Sequence, residues 1–145
     1  MYKFNWEDVK EIVESEQYDI FYRNQESTNN YEKTKTEISN KYESMKDMIL
    51  INFLNYNSKL TDNNKLVSFK DIDSLRTNII KNNFPYHVED NISHLVLWSR
   101  EDLTDNQIKN ILERKYKNQE YIYFRNPAHI RSIPSVFHIQ VFLKL

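Results

Sequence analysis

The sequence predicts an α+β fold in which N-terminal helices precede a mainly antiparallel sheet, and three observations lead there. Apolar residues recur at helical spacing through most of the first half of the chain. The rest carries three compact runs rich in strand formers, "NISHLVLWS", "EYIYF" and "VFHIQVFL". No long crossover separates the last two runs, which favours antiparallel ladders with helices packed on one face. At 145 residues, 39% of them hydrophobic, the chain suffices for one domain with a real core and is short for two. The expected division is a helical part over about 1–83 and a strand-rich part over about 84–145.

Element by element, Asn5 stands before "WEDVKEIVE" as an N-cap. Glu7 and Asp8 complement the positive helix end, and Trp6, Val9, Ile12 and Val13 share one face. The segment "NNYEKTKTEISNKYESMKDMILINFLNY" spaces Tyr31, Ile38, Tyr42, Met45, Ile49, Phe53 and Tyr56 at steps of three, four or seven. That spacing predicts one long helix, with its aromatics in the core and its Lys/Glu alternation on the solvated back. "SKLTDNNKLVSF" reads as polar turn, and "DIDSLRTNIIKNNF" as a shorter helix ending at Phe84-Pro85-Tyr86. "NISHLVLWS" is a strand. "LTDNQIKNILERKY" opens a helix with a capping box, Thr104 with Gln107, and a staple of Leu103 against Ile108. "EYIYF" is a strand, "RNPAHIRSIPS" a proline-punctuated loop, and Val136 to Leu143 the last strand.

Composition excludes several function classes. With no glycine, neither a P-loop nor a Rossmann phosphate loop can form, and no cofactor is expected. Turns must fall to Asn and Asp, at Asn29-Asn30, Asp62-Asn63-Asn64, Asn82-Asn83 and Asp90-Asn91. With no cysteine there are no disulfides, thiolate nucleophiles or Cys-type zinc sites, which fits a reducing compartment. Lys+Arg 20 against Asp+Glu 21 gives no global field for a nucleic-acid or membrane partner. No apolar run approaches bilayer length and the first ten residues lack a signal-peptide pattern, so the expected location is cytoplasmic.

The final strand carries the main functional signal. Phe137, Ile139, Val141 and Leu143 alternate onto a wholly apolar face, while the opposite face reads Val136, His138, Gln140, Phe142. Two neutral hydrogen-bonding groups framed by hydrophobes suit a pocket wall, because a solvated face would take Lys, Glu or Thr there. The alternative for His138 is a hydrogen bond to a neighbouring carbonyl. In the preceding loop, Arg125, Asn126 and Arg131 are candidate anion contacts, Arg in bidentate fashion, against the alternative of a solvated loop. His87 and His94 with Glu89 and Asp90 match no standard ligand spacing, so no metal is expected. Ser132 and Ser135 near His138 lack the glycine-flanked nucleophile of a hydrolase triad.

Several of these stretches together resemble the N-acetylglucosamine-induced protein family, small single-domain proteins without a settled biochemical activity. The likeness runs in order through Trp6-Glu7-Asp8, Arg23, Tyr31, "NNFPYHVEDNISHLVLWS" and "RNPAHIRSIPSVFHIQVF". A weaker likeness is to the histidine triad superfamily of nucleotide hydrolases and transferases. His94 within "HLVL", the helix from Thr104, "YIYFRN", a serine and "SVFHIQVF" fall in the order of that fold. Set against the triad, His138 takes the first position, Gln140 the nucleophile position and Phe142 the third; sliding the register puts Val136 first. A glutamine amide cannot attack phosphorus as imidazole does. The resemblance therefore implies a pocket with degenerate or lost phosphoester chemistry. It makes His138 the best candidate for any catalysis and Gln140, Arg125, Asn126, Arg131, Ser132 and His94 candidate ligand contacts.

Two functions follow from the sequence. One is binding of a nucleotide or nucleotide-sugar type ligand in a triad-like pocket. The other is an interaction module that docks a protein partner on its sheet and long helix.

Overall fold

The computed structural model describes residues 1–128, 131 and 135–145. Helix α1 (Trp6–Glu14) starts where the capping chemistry placed it: the Asn5 side chain accepts from the Asp8 amide, and Asp8 returns the bond to the Asn5 amide. A 3-10 turn at Tyr18–Ile20 leads to α2 (Gln25–Lys41) and α3 (Met45–Phe53). The strands β1 (Asn57–Leu60), β2 (Leu66–Phe69), β3 (Thr77–Lys81) and β4 (Ile92–Ser99) come next, then α4 (Asp105–Lys115), β5 (Tyr121–Phe124) and β6 (Phe137–Lys144). The fold is α+β with two antiparallel sheets, a β1–β2 ribbon and a four-stranded sheet of order β3-β4-β6-β5. Since β6 lies between β4 and β5, the β4–α4–β5 connection is a split crossover that receives the last strand in its middle.

Four expectations from the sequence are corrected here. The single long helix is two, because Tyr42 turns to extended backbone (φ -116°, ψ 151°) and the Ser44 side chain, accepting from the Asp47 amide, caps a new helix. Glu43 then donates to the Leu66 carbonyl at 2.9 Å, a non-local bond that holds the break. The helix read in "DIDSLRTNIIKNNF" is strand β3, paired with β4 from Thr77↔Ser99 to Lys81↔Leu95; ladder pairing of β-branched residues overrides an ambiguous local pattern. With the β1–β2 ribbon, this puts three strands inside the stretch read as helical, about 1–83. Asn29 and Asn30 lie within α2, not in a turn. By contrast Asn64, at φ 61°, takes the left-handed conformation in the β1–β2 connection, as a glycine-free turn requires.

The fourth correction concerns layering. Helices cover both faces of the large sheet, because both faces of β6 are buried and each needs an apolar cover. On one face Leu95, Leu97, Phe137, Ile139, Val141 and Leu143 pack against Ile108 and Leu112 of α4. On the other, α1 and the following turn cover the Ile92, Phe124 and Phe142 end, and α3 covers the Val96, Trp98 and Val136 end. Between those two cores the same face is left open beneath α2. Among the described residues, no helix is long and apolar enough to cross a membrane.

Candidate functional site

A cleft of about 460 Å³ occupies that opening. Its floor is the sheet. The register places Ile80 opposite Val96, Val96 opposite Gln140 and Trp98 opposite His138, so strands β3, β4 and β6 present these side chains on one surface. Asn82 follows β3 on the same alternation. The roof is α2, which turns Tyr31, Lys35, Ile38 and Lys41 toward the cleft, and Met45, Met48 and Ile49 of α3 close one end. Tyr31 and Ile38 belong to the stripe expected in a core. They line a cavity instead, and none of the 17 residues of α2 is buried.

His138 makes the bond to a neighbouring carbonyl, and it also lines the cleft. Its Nδ1–H donates to the Val136 carbonyl at 2.9 Å, and the ring lies against Trp98 with centroids 4.9 Å apart while lining the cleft. Burial holds its pKa below the usual histidine range; the Val136 carbonyl opposes the shift, and the charges of Arg131 and Arg125 add to it. At neutral pH the ring is therefore neutral, with its lone pair on Nε2. Trp98 Nε1 is buried with no hydrogen-bond partner among the described residues.

Gln140 is tied to His94, with Nε2 of His94 2.6 Å from Gln140 Oε1. The backbone N–H of Tyr86 donates to Nδ1 of His94 at 3.1 Å. Nδ1 is thus the acceptor and Nε2 carries the proton. The His94 ring is stacked between Tyr86 (5.0 Å) and Phe142 (4.5 Å), and its burial, with a smaller contribution from the Arg23 charge, pushes its pKa down to about 4 against the opposing Gln140 bond. His94 is a buried neutral relay behind the cleft floor; it does not line the cleft.

Four cationic side chains line the cleft, Arg23, Lys35, Lys41 and Lys81, with one carboxylate, Glu37. None of the four meets a carboxylate within 4.0 Å among the described residues. Arg23 is held firmly. Its Nε donates to the Phe84 carbonyl at 2.7 Å, and its guanidinium carbon lies 5.6 Å from the Tyr31 ring centre and 5.1 Å from that of Tyr86.

The loop candidates lie elsewhere. Arg125 stacks over Phe137 at 4.4 Å, on the face that α4 covers, and Nε of Arg131 donates to the Asn126 carbonyl. Asn126 is buried. None of the three lines the cleft, although both arginine charges act on His138. Ser132 lies outside the described residues. Sequence reasoning missed Asn82, Trp98 and the lysines. Asn82 looked like a turn residue, Lys35 and Lys41 looked like the solvated back of the long helix, and Lys81 fell in a stretch read as a helix; only the alternation Asn78, Ile80, Asn82 hinted that Asn82 shares a face with the floor.

A family model described as protein of unknown function (DUF3605) matches residues 5–144. N-acetylglucosamine-induced protein 1 of Candida albicans is 28% identical over 173 aligned positions, spanning 97% of this chain and 68% of that protein. The crystal structure of HTC1 superposes with a TM-score of 0.64 at 20% identity, covering 98% of this chain and 85% of the other, a likeness of fold.

Proposed function

The chain belongs to the DUF3605 family of proteins of unknown function, and from that premise we propose that it binds a small anionic ligand of nucleotide or nucleotide-sugar type in the cleft under α2, without triad-type catalysis. The observation that carries this reading is the distribution of polarity in the cleft. Its floor sets the neutral pair His138 and Gln140 beside Trp98, and its lining adds Arg23, Lys35, Lys41 and Lys81, none of them paired with a carboxylate among the described residues. An apolar body with a few convergent polar groups suits a planar ring, and unpaired cations suit phosphate. Against triad chemistry, Gln140 presents an amide where a nucleophilic imidazole is required, and Phe142 is wholly buried in an aromatic stack.

Thermal denaturation with a panel of nucleoside phosphates and nucleotide sugars at millimolar concentration tests this. A ligand that binds only the native state raises Tm by mass action. We expect a rise with at least one member, a smaller rise in a Lys35→Gln/Lys81→Gln variant, and no nucleotidyl adduct on His138 by mass spectrometry. No shift with any member removes the reading; an adduct on His138 with turnover removes its non-catalytic part.

The second reading, a protein-interaction module, is favoured by a different feature. Leu60, Phe69, Ile72 and Leu75 are all exposed around and after the β1–β2 ribbon, Ile72 at 98%. The long helix, expected with the sheet to dock a partner, has no such exposed large hydrophobic side chain.

A further inference from the structure

We propose, resting on the cleft reading above, that the segment from Asn82 to Tyr86 fixes the Gln140 NH2 as a hydrogen-bond donor to the cleft, that the Val136 carbonyl fixes the His138 Nε2 as an acceptor on the same floor, and that this pair selects a nucleobase edge carrying a donor next to an acceptor. A lone glutamine amide can present either end, and a lone histidine either tautomer. Here backbone groups, whose donor or acceptor character is invariant, make each choice.

Two relays converge on Gln140. In the first, the Tyr86 backbone N–H donates to His94 Nδ1 at 3.1 Å, which puts the His94 proton on Nε2 and so makes Gln140 Oε1, 2.6 Å away, the acceptor. In the second, the Phe84 backbone N–H donates to Asn82 Oδ1 at 2.8 Å. That turns the Asn82 NH2 toward Gln140, with Nδ2 3.5 Å from the same Oε1. Both relays occupy the carbonyl end, leaving the amide NH2 for the cleft that Gln140 lines. His138 is set separately and in the opposite sense, since its Nδ1–H donates to the Val136 carbonyl and Nε2 keeps the lone pair.

Because residues i and i+2 of a strand point to the same side, the acceptor of His138 and the donor of Gln140 project from the same side of β6 into the cleft. Their complement is a planar group with an N–H beside a carbonyl or ring nitrogen. Every nucleobase has such a pair on its Watson–Crick edge; in uracil and guanine the donor is the ring N–H beside a carbonyl, and methylation of that nitrogen removes it. His94 is a positioning residue, acting through Gln140 and not on the ligand; Asn82 positions Gln140 and also lines the cleft.

Two measurements decide the matter. Nitrogen-15 NMR of the free protein at neutral pH should show His94 protonated on Nε2 and His138 protonated on Nδ1; His94 protonated on Nδ1, or His138 on Nε2, overturns the proposal without any ligand. Calorimetric titration should then show uridine or guanosine 5′-monophosphate binding more tightly than its N3-methyl or N1-methyl counterpart by about tenfold or more, since a site built to pair with an N–H rejects an analogue lacking it. In a His94→Phe variant, which keeps a ring between Tyr86 and Phe142, that discrimination should collapse. Equal binding of methylated and unmethylated nucleotides by the native protein overturns this proposal and leaves the cleft reading standing. Failure of every nucleotide to bind, with the tautomers as stated, overturns the cleft reading and the selectivity together. If His94→Phe does not fold, the tautomers and the methylated probes on the native protein still decide.

Discussion

His94 gives this molecule an acid sensitivity that a single buried side chain carries. Its folded pKa is about 4 against an ordinary value of 6.5. Between those values the unfolded chain binds a proton that the native state excludes, so stability falls as the pH falls. This contribution is fully present above about pH 6.5 and lost by about pH 4, amounting to about 3 kcal/mol. His138, shifted in the same direction, adds to the slope. Urea unfolding from pH 7 to pH 4 should show this loss, and His94→Gln should flatten the profile; an unchanged slope in the variant would assign the acid sensitivity to other groups. The sequence foretold part of this arrangement. The two faces of β6 were legible because alternation is a local property, and the buried pair His138 and Gln140 stood out as polar groups among hydrophobes. The partner of Gln140 was not legible, since His94 is 46 residues away and only the β4–β6 register brings them together. Arg125 illustrates the reverse: its charge invited an anion, yet its nearest use is stacking on Phe137.

The helices differ in what holds them. For α1 and α4, reciprocal capping boxes and a buried apolar stripe agree, and their starts were read from sequence because every term is local. Helix α2 has a side-chain N-cap at Asn24 and no buried residue, so its helical state rests on propensity and on a stripe that meets a cavity. Its apolar spacing looked like core spacing because periodicity tells which residues share a face and not what that face meets. The break before α3 was hidden for another reason, since the bond from Glu43 to Leu66 is tertiary. From this difference we expect amide hydrogen exchange in 25–41 to be much faster than in β4 and β6, and to slow when a nucleotide that raises Tm is added. Protection of α2 equal to that of the central strands would mean that the cleft is a sealed core.

At the scale of the whole molecule, a nearly neutral protein concentrates cations at one opening. The formal net charge is -1, yet the cleft lining carries four cations against one carboxylate. That local field was invisible in composition, because Arg23 from the segment before α2, Lys35 and Lys41 from α2, and Lys81 from β3 are brought together only by folding around the sheet. The class of fold was legible and its layering was not: the apolar runs revealed strands, but only the assembled sheet shows that α1 and α3 cover the two ends of one face and leave its centre open. Binding in that centre is most directly tested by two-dimensional proton–nitrogen NMR during titration with uridine and guanosine 5′-monophosphate. The Gln140 side-chain NH2, the Trp98 indole N–H and the backbone amides of α2 around Lys35 should move together and saturate with a single affinity. If those signals stay fixed while the nucleotides perturb only residues outside the cleft, or perturb nothing, the cleft is not a nucleotide site.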